Sequence, residues 1–227
     1  MSSPRILGID ANHLDAIQEA AQAIKEGGLV VYPTETSYAL GVDALDITSV
    51  KKVFLAKKRA FTAPLPIIVD TIDRAEKCGL FNRQAMKIAE KFWPGPLTIA
   101  VEKRSLIPDI LNPDRIAMRI PDHPIPLALV ESASTPITAT SANLSGESSP
   151  YSVEAVRGSL DHVVDVIVDC GTLPTNPPST IIDFVMKPSP QITRDGAISA
   201  ESVLESLGID RKNWRKHTVH LPAQRKG

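Results

Sequence analysis

The sequence predicts a single α/β domain built on a mixed sheet, and three observations lead there. Short apolar runs suited to strands intermingle with stretches of helical periodicity, without the strict strand–helix–strand alternation of a parallel sheet. No internal repeat and no linker-like segment divides the 227 residues, a length that can bury a sizeable core. With 19 prolines and only 4% aromatic residues, the chain has the composition of many short elements joined by stiff turns.

Residues 1–5 lead directly into the apolar run 6–9, without the long hydrophobic stretch of a signal peptide or membrane span. Leu14, Ile17, Ala20, Ala21 and Ile24 form a helical stripe over 12–26 that Asn12 is placed to cap and that Gly27 and Gly28 end. Residues 29–32 (LVVY) read as a strand closed by Pro33, which has no N–H to donate. A helix is expected from near Asp46, with Val50, Val53 and Phe54 on one face, and then a strand over 65–69. Thr71 and Asn82 are set to cap helices over 72–78 and 83–92. FWPGP, at 92–96, is a rigid break before a strand at 97–101. A loop with two prolines covers 102–113, followed by a strand at 115–120, a helix at 125–132 and a short strand at 136–139. Ser152 caps a helix at 153–160, 163–168 is a strand, and 171–178 a turn-rich loop. Strands at 179–185 and 191–193 precede a last helix at 200–207, capped by Ser199 and closed by Gly208. Residues 209–227 carry six Lys/Arg against Asp210 alone; they are expected to fray or lie on the surface, with Trp214 able to pin them.

The net charge of −1 announces neither nucleic acid nor membrane. Cys78 and Cys170 have no CxxC or His-paired spacing and read as ordinary thiols of a reducing compartment, so a soluble cytoplasmic protein is expected. His13, His123, His162, His217 and His220 show no metal-ligand spacing, and no metal site is expected.

The chain is organised around 29–65. A strand ends at Pro33 and is followed at once by Thr34, Glu35, Thr36 and Ser37, then Tyr38 and Gly41; a helix follows, running out into Lys57, Lys58 and Arg59. Polar groups at a strand end are where open α/β sheets place ligands. By periodicity alone the plainer reading is a βαβ unit with solvated lysines that complement a helix dipole. The loop 138–146 (TATSANLSG) is rich in side-chain oxygens and amides able to hold phosphate or ribose, although taken alone it reads as a hydroxyl-rich turn. Neither a P-loop, a GxGxxG nor a GxSxG pattern occurs. Arg119, at a strand end, either grips a carboxylate bidentately or pairs with Asp122. Asp122 and His123, read in isolation, build the proline turn rather than an acid–base pair.

Together, PTETSYALG, KKR followed by PL, FWPGPLT, MRIPDHP, ATSANLSG, STIID and RDGA occur in that order across nearly the whole chain. This ordered set, running from about residue 20 to 197, closely resembles the YrdC-type threonylcarbamoyl-AMP synthases. The resemblance implies a twisted mixed sheet with helices on its faces around a positively charged concave central site. It implies a nucleotidyltransferase that condenses L-threonine, bicarbonate and ATP into L-threonylcarbamoyladenylate and pyrophosphate. That product serves threonylcarbamoyl modification of adenosine beside the anticodon of tRNAs, through downstream transfer proteins. By resemblance Lys57 and Arg59 are catalytic cations on the triphosphate, and Ser141, Asn143, Ser149 and Arg194 join them in holding ATP. Arg119 suits the threonine carboxylate, and Thr34, Thr36 and Ser179 its other polar groups. Mg²⁺ is expected through the phosphates, since no carboxylate cluster offers a protein cage.

Three positions depart from the family pattern: Ala39 where Gly is usual, Ala60 where Pro is usual, and Ile68 where some members carry a His that helps hold threonine. Residues 1–208 are expected to form the catalytic domain and 209–227 a basic tail, leaving too few residues for the second domain of longer members. The alternative function is a double-stranded RNA or tRNA-binding module using the basic concave surface. A related carbamoyl-adenylate chemistry, as in hydrogenase maturation proteins, usually sits in much longer chains.

Overall fold

The computed structural model describes residues 3–9 and 13–219. In chain order the elements are β1 (Arg5–Gly8), α1 (His13–Lys25), β2 (Val30–Tyr32), β3 (Ala39–Gly41), α2 (Ile47–Ala56), β4 (Ile67–Ile68), α3 (Ile72–Cys78), β5 (Gly79–Leu80), α4 (Arg83–Phe92), β6 (Leu97–Lys103), β7 (Arg115–Arg119), α5 (Pro124–Ala133), β8 (Ile137–Thr138), β9 (Thr140–Ser141), α6 (Val153–Leu160), β10 (Val166–Asp169), β11 (Thr180–Asp183), β12 (Gln191–Arg194) and α7 (Ala200–Ser206), then a 3-10 helix at Arg211–Lys216. Helices begin where short polar side chains take up their first free amides. Asp46 accepts from Thr48 and Ser49, Thr71 from Arg74, Asn82 from Ala85, Ser152 from Ala155 and Ser199 from Ser202. The expected Asn12 cap, and the tail beyond Val219 with His220, lie outside the described residues.

Two sheets carry the fold. One runs β1-β10-β2-β3-β9; the other runs β12-β11-β6-β7-β4-β8, with β5 against β6. Both mix parallel and antiparallel pairs. Because successive side chains on a strand point to opposite faces, the first sheet feeds two cores. Val31, Leu40 and Ile167 enter the main core with Val50, Val53 and Phe54 of α2 and Ile99 and Met118 of the second sheet. Val30, Tyr32, Ala39, Val166 and Val168 pack instead against Ile17, Ala20 and Ile24 of α1 and Leu129 of α5. Burial of a large apolar side chain contributes roughly 1.5–3 kcal/mol, so these two cores supply most of the cohesion.

The seam between the sheets is 137–141: β8 pairs with β4, and β9, just beyond Ala139, pairs with β3. Gly41 lets the seam close up, since a Cβ there would lie 2.6 Å from the Tyr32 ring and 3.1 Å from the Thr138 carbonyl oxygen.

Three expectations are corrected. The strands beginning near 29 and 65 are not sheet neighbours: β2 pairs with β10 and β3, and β4 with β7 and β8, so α2 leads from one sheet to the other. β4 is only two residues long, because Pro64 and Pro66 withhold donors. The segment after Pro33 is the loop of a hairpin, with Val30 opposite Gly41 and Tyr32 opposite Ala39. Where the tail is described, Trp214 does pin it. Trp214 Nε1 donates to Ile209 O, and Ile192 on β12 donates to His217 O and accepts from Val219 N. This adds a short parallel bridge, Ile192 to Thr218, along the edge strand.

Candidate functional site

The hairpin loop between β2 and β3 folds on its own hydroxyls. Thr34 Oγ1 donates to Ser37 O (2.7 Å) and accepts from the Thr36 and Ser37 amides (both 3.2 Å). Since its one proton is committed, the 2.9 Å contact to Thr36 Oγ1 has Thr36 as donor. Thr36 in turn accepts from Arg119 Nη2 at 3.2 Å, so a polarised chain runs from the guanidinium through both threonines to a backbone carbonyl. Arg119 ends β7, in register with the fully buried Ile68, and its Nη1 lies 2.5 Å from Glu35 Oε1. It therefore pairs with Glu35 and not with the exposed Asp122. His123 accepts from the Ile125 amide and caps α5, and burial holds its pKa below the ordinary value; it builds the turn.

Ser179, just ahead of β11, shares a 2.8 Å hydrogen bond with Thr98 and accepts at 2.8 Å from Arg194 Nη2, while Arg194 Nε donates to Ser179 O at 2.7 Å. Gly196 allows this turn to close, since a Cβ there would meet the Pro178 carbonyl oxygen at 2.2 Å. Burial and then the charge of Arg119 push the Arg194 pKa down to about 10, which puts the two guanidiniums in one electrostatic neighbourhood.

On the other flank of the hairpin, β3 pairs Ala39 with Ser141, and Ala142 donates to Tyr38 O. The SAN loop is thereby laid beside the PTET loop. Lys57, 2% exposed at the end of α2, reaches into it: Nζ donates to Ser141 O (2.5 Å), Asn143 O (2.6 Å) and Asn143 Oδ1 (3.1 Å). Asn143 Oδ1 also accepts from Ser141 Oγ at 2.6 Å, and Nδ2 donates to Glu147 O and Ser148 O. Burial first, then the Arg59 charge, lowers the Lys57 pKa to about 8, with Glu147 opposing. Arg59 donates from Nη2 to Pro64 O, and its Nε is buried with no partner. Ser149 is half-buried at the loop's end, beside Pro150, whose carbonyl accepts from Tyr38 N.

The KKR segment turns back on the end of α2 rather than running on as an extended strand. Lys57 is helical, Lys58 left-handed at φ +50, and the Arg59 and Lys58 amides bond back to Phe54 O and Leu55 O. Lys58 is nevertheless the exposed member of the three.

The structure thus brings Thr34, Thr36 and Arg119 into one cluster, Ser179 and Arg194 into a second that neighbours it, and Lys57, Ser141 and Asn143 into a third beside the same hairpin. Sequence reasoning missed Glu35 as the partner of Arg119, Thr98 as the partner of Ser179, and Asn176, whose Nδ2 donates to Glu35 O at 2.8 Å. Glu35 stood in view between two assigned threonines, but its partner lies 84 residues away. Of the departures, Ile68 and Ala39 both face the second core, so the position where some members carry a His offers no polar group here.

Two sheets joined at the 137–141 seam, with Arg119 bonded to the hairpin loop and Lys57 reaching into the amide-rich loop beside it, define an α/β protein with a cation-lined candidate site. Residues 22–196 match the family model Sua5_yciO_yrdC, described as telomere recombination, and the chain belongs to that family. It is 37% identical over 195 residues to a threonylcarbamoyl-AMP synthase of Pyrococcus abyssi, covering 85% of this chain and 57% of the relative. It is 36% identical to the Bacillus subtilis protein of the same name, covering 85% and 56%. The chain thus spans little more than half the length of these relatives. Among solved structures, P. abyssi Sua5 complexed with L-threonine superposes with a TM-score of 0.85 at 35% identity, covering 92% of this chain and 62% of that one. Escherichia coli YciO, at 24% identity, shares the fold with a TM-score of 0.80 over 90% of this chain and 100% of its own.

Proposed function

We propose that this chain is an L-threonylcarbamoyladenylate synthase, a nucleotidyltransferase that condenses L-threonine, bicarbonate and ATP and releases pyrophosphate. The observation that carries this reading is the pairing, across one hairpin, of a buried arginine beside hydroxyls with a second, cation-bearing amide loop. An amino acid and a nucleotide must meet in such an arrangement for adenylation. The relatives' name and the threonine in the P. abyssi complex support it.

Threonine's carboxylate is assigned to Arg119, and its remaining polar groups to Thr34, Thr36 and Ser179. The nucleotide is assigned to Ser141, Asn143, Ser149, Arg59 and Arg194, with Lys57 supplying charge while bracing the loop. Arg194, bonded to Ser179 through Nε and Nη2, adjoins the threonine subsite, and its charge suits a phosphate of the nucleotide. The deprotonated amine attacks the carbon of bicarbonate, with loss of water, or of CO₂, with loss of a proton, to give a carbamate; a carbamate oxygen then attacks the α-phosphorus as pyrophosphate leaves. Charge moves onto the leaving group, where preorganised cations stabilise it. Mg²⁺ would be held by the phosphate oxygens; among the described residues no cluster of three His, Cys, Asp or Glu stands together.

The labile product would pass to tRNA threonylcarbamoyl-transfer proteins, in the cytoplasm. No helix among the described residues is long and apolar enough to cross a membrane. Duplex RNA binding needs cations that reach out to a backbone, whereas Lys57 and Arg119 are only 2% and 7% exposed; the adenylating reading is favoured. The test is mass spectrometry of the reaction with ¹³C-bicarbonate: a nucleotide product carrying both threonine and the labelled carbon is expected. AMP alone would remove the reading.

A further inference from the structure

Among the described residues, two buried side-chain polar atoms have no hydrogen-bond partner, Arg59 Nε and Glu35 Oε2. Both belong to the candidate site, and buried polar atoms left unpaired in a folded protein call for a missing partner. Arg59 Nε is a donor and answers an anion. Glu35 Oε2 is an acceptor of opposite charge in a site whose other charged groups are mostly cations, so what it lacks is a cationic donor.

Resting on the threonine reading above, we propose that Glu35 receives the substrate's α-ammonium and so selects amino acids over hydroxy acids. The geometry supports this. Glu35 Oε1 is already held by Arg119 at 2.5 Å, and the Glu35 backbone carbonyl by Asn176 at 2.8 Å, so the residue is anchored at its main chain and at one carboxylate oxygen, with Oε2 left over. A substrate carboxylate on Arg119 puts its α-carbon next to Glu35, because one guanidinium serves both carboxylates. The α-ammonium, one bond further, then falls within reach of Oε2. Thr34 and Thr36 are poorer partners for an ammonium, since both are neutral and their oxygens already accept, Thr34 from the Thr36 and Ser37 amides and Thr36 from Arg119. The carboxylate would also hold the nitrogen beside the carbon it attacks once the ammonium has lost its proton to solvent, since only the free amine carries the attacking lone pair; the part given to Glu35 is positional.

The test compares L-threonine with (R)-3-hydroxybutanoate, which keeps the carboxylate and hydroxyl but lacks the amine. Ligand-observed NMR with the full chain and a non-hydrolysable ATP analogue reads even weak affinities. Wild-type protein should prefer threonine by about tenfold to a hundredfold, the scale of one charge-assisted hydrogen bond. Glu35→Gln should lose that preference while binding 3-hydroxybutanoate as before. Parallel weakening of both ligands would reduce Glu35 to a support for Arg119, and parallel tightening would make it a competitor for Arg119; either overturns the proposal, as does a preference that survives Glu35→Gln. If Glu35→Gln does not fold, Glu35→Asp is read the same way, with threonine alone weakened. Wild-type protein that binds neither ligand contradicts the threonine reading itself.

Discussion

Lys57 donates its ammonium hydrogens to Ser141 O, Asn143 O and Asn143 Oδ1, so its charge is fixed in place before any ligand arrives. Burial lowers its pKa to about 8, and a bound polyanion would favour the charged form. The sign follows: above pH 8 the free protein has lost a proton that the ATP complex takes up again, so ATP affinity should fall with rising pH. Calorimetry should show a fall approaching tenfold per pH unit above about 8, absent in Lys57→Met. An affinity flat from pH 7 to 9.5 would detach Lys57 from the nucleotide site. Arg59, with its unpartnered Nε, is the cation more directly offered to a ligand. Arg59→Ala should cut pyrophosphate release by roughly a hundredfold or more, the scale of losing one preorganised electrostatic contact. Lys58→Ala should change it little, because an exposed cation is screened; equal sensitivity at Lys58 would make the segment a diffuse basic patch.

At the scale of elements, the turn after α2 holds a lysine where the backbone suits glycine, at φ +50. A left-handed residue with a Cβ costs about 1–2 kcal/mol, partly offset by the greater freedom of glycine in the unfolded chain. Lys58→Gly should therefore raise stability by about 1 kcal/mol in urea unfolding without altering activity; a loss of stability would mean the lysine side chain is needed there. Helix starts were legible because a capping side chain bonds amides two or three residues on, as Asp46, Thr71, Asn82, Ser152 and Ser199 do. β3 and β5, three and two residues long, are too short to show an alternating pattern. The pairing of Arg119 with Glu35 was not legible either, because it depends on how two sheets meet. Every residue assigned from the ordered motifs could be placed, yet the motifs do not say that Lys57 faces carbonyls or that Thr34 and Thr36 are bonded to each other.

For the whole molecule, the segment after Gly208 reads by its charges as a surface tail, with Trp214 as the anchor able to pin it. Trp214 packs against the main core, and Ile192 exchanges two backbone hydrogen bonds with the segment. Truncation after Gly208 should cost roughly 2–3 kcal/mol, the scale of uncovering one large apolar side chain, and lower the thermal midpoint accordingly. Activity at low temperature should persist, since none of the proposed site residues lies beyond Arg194; a folded but inactive truncation would put part of the site in the tail. In the proposed reaction threonine, bicarbonate and ATP meet at the hairpin. The most direct measurement is pyrophosphate release from ATP by the full chain, with threonine and bicarbonate each omitted in turn. Release that requires both is the expected result; release that continues without threonine or without bicarbonate, or none when all three are present, would contradict it.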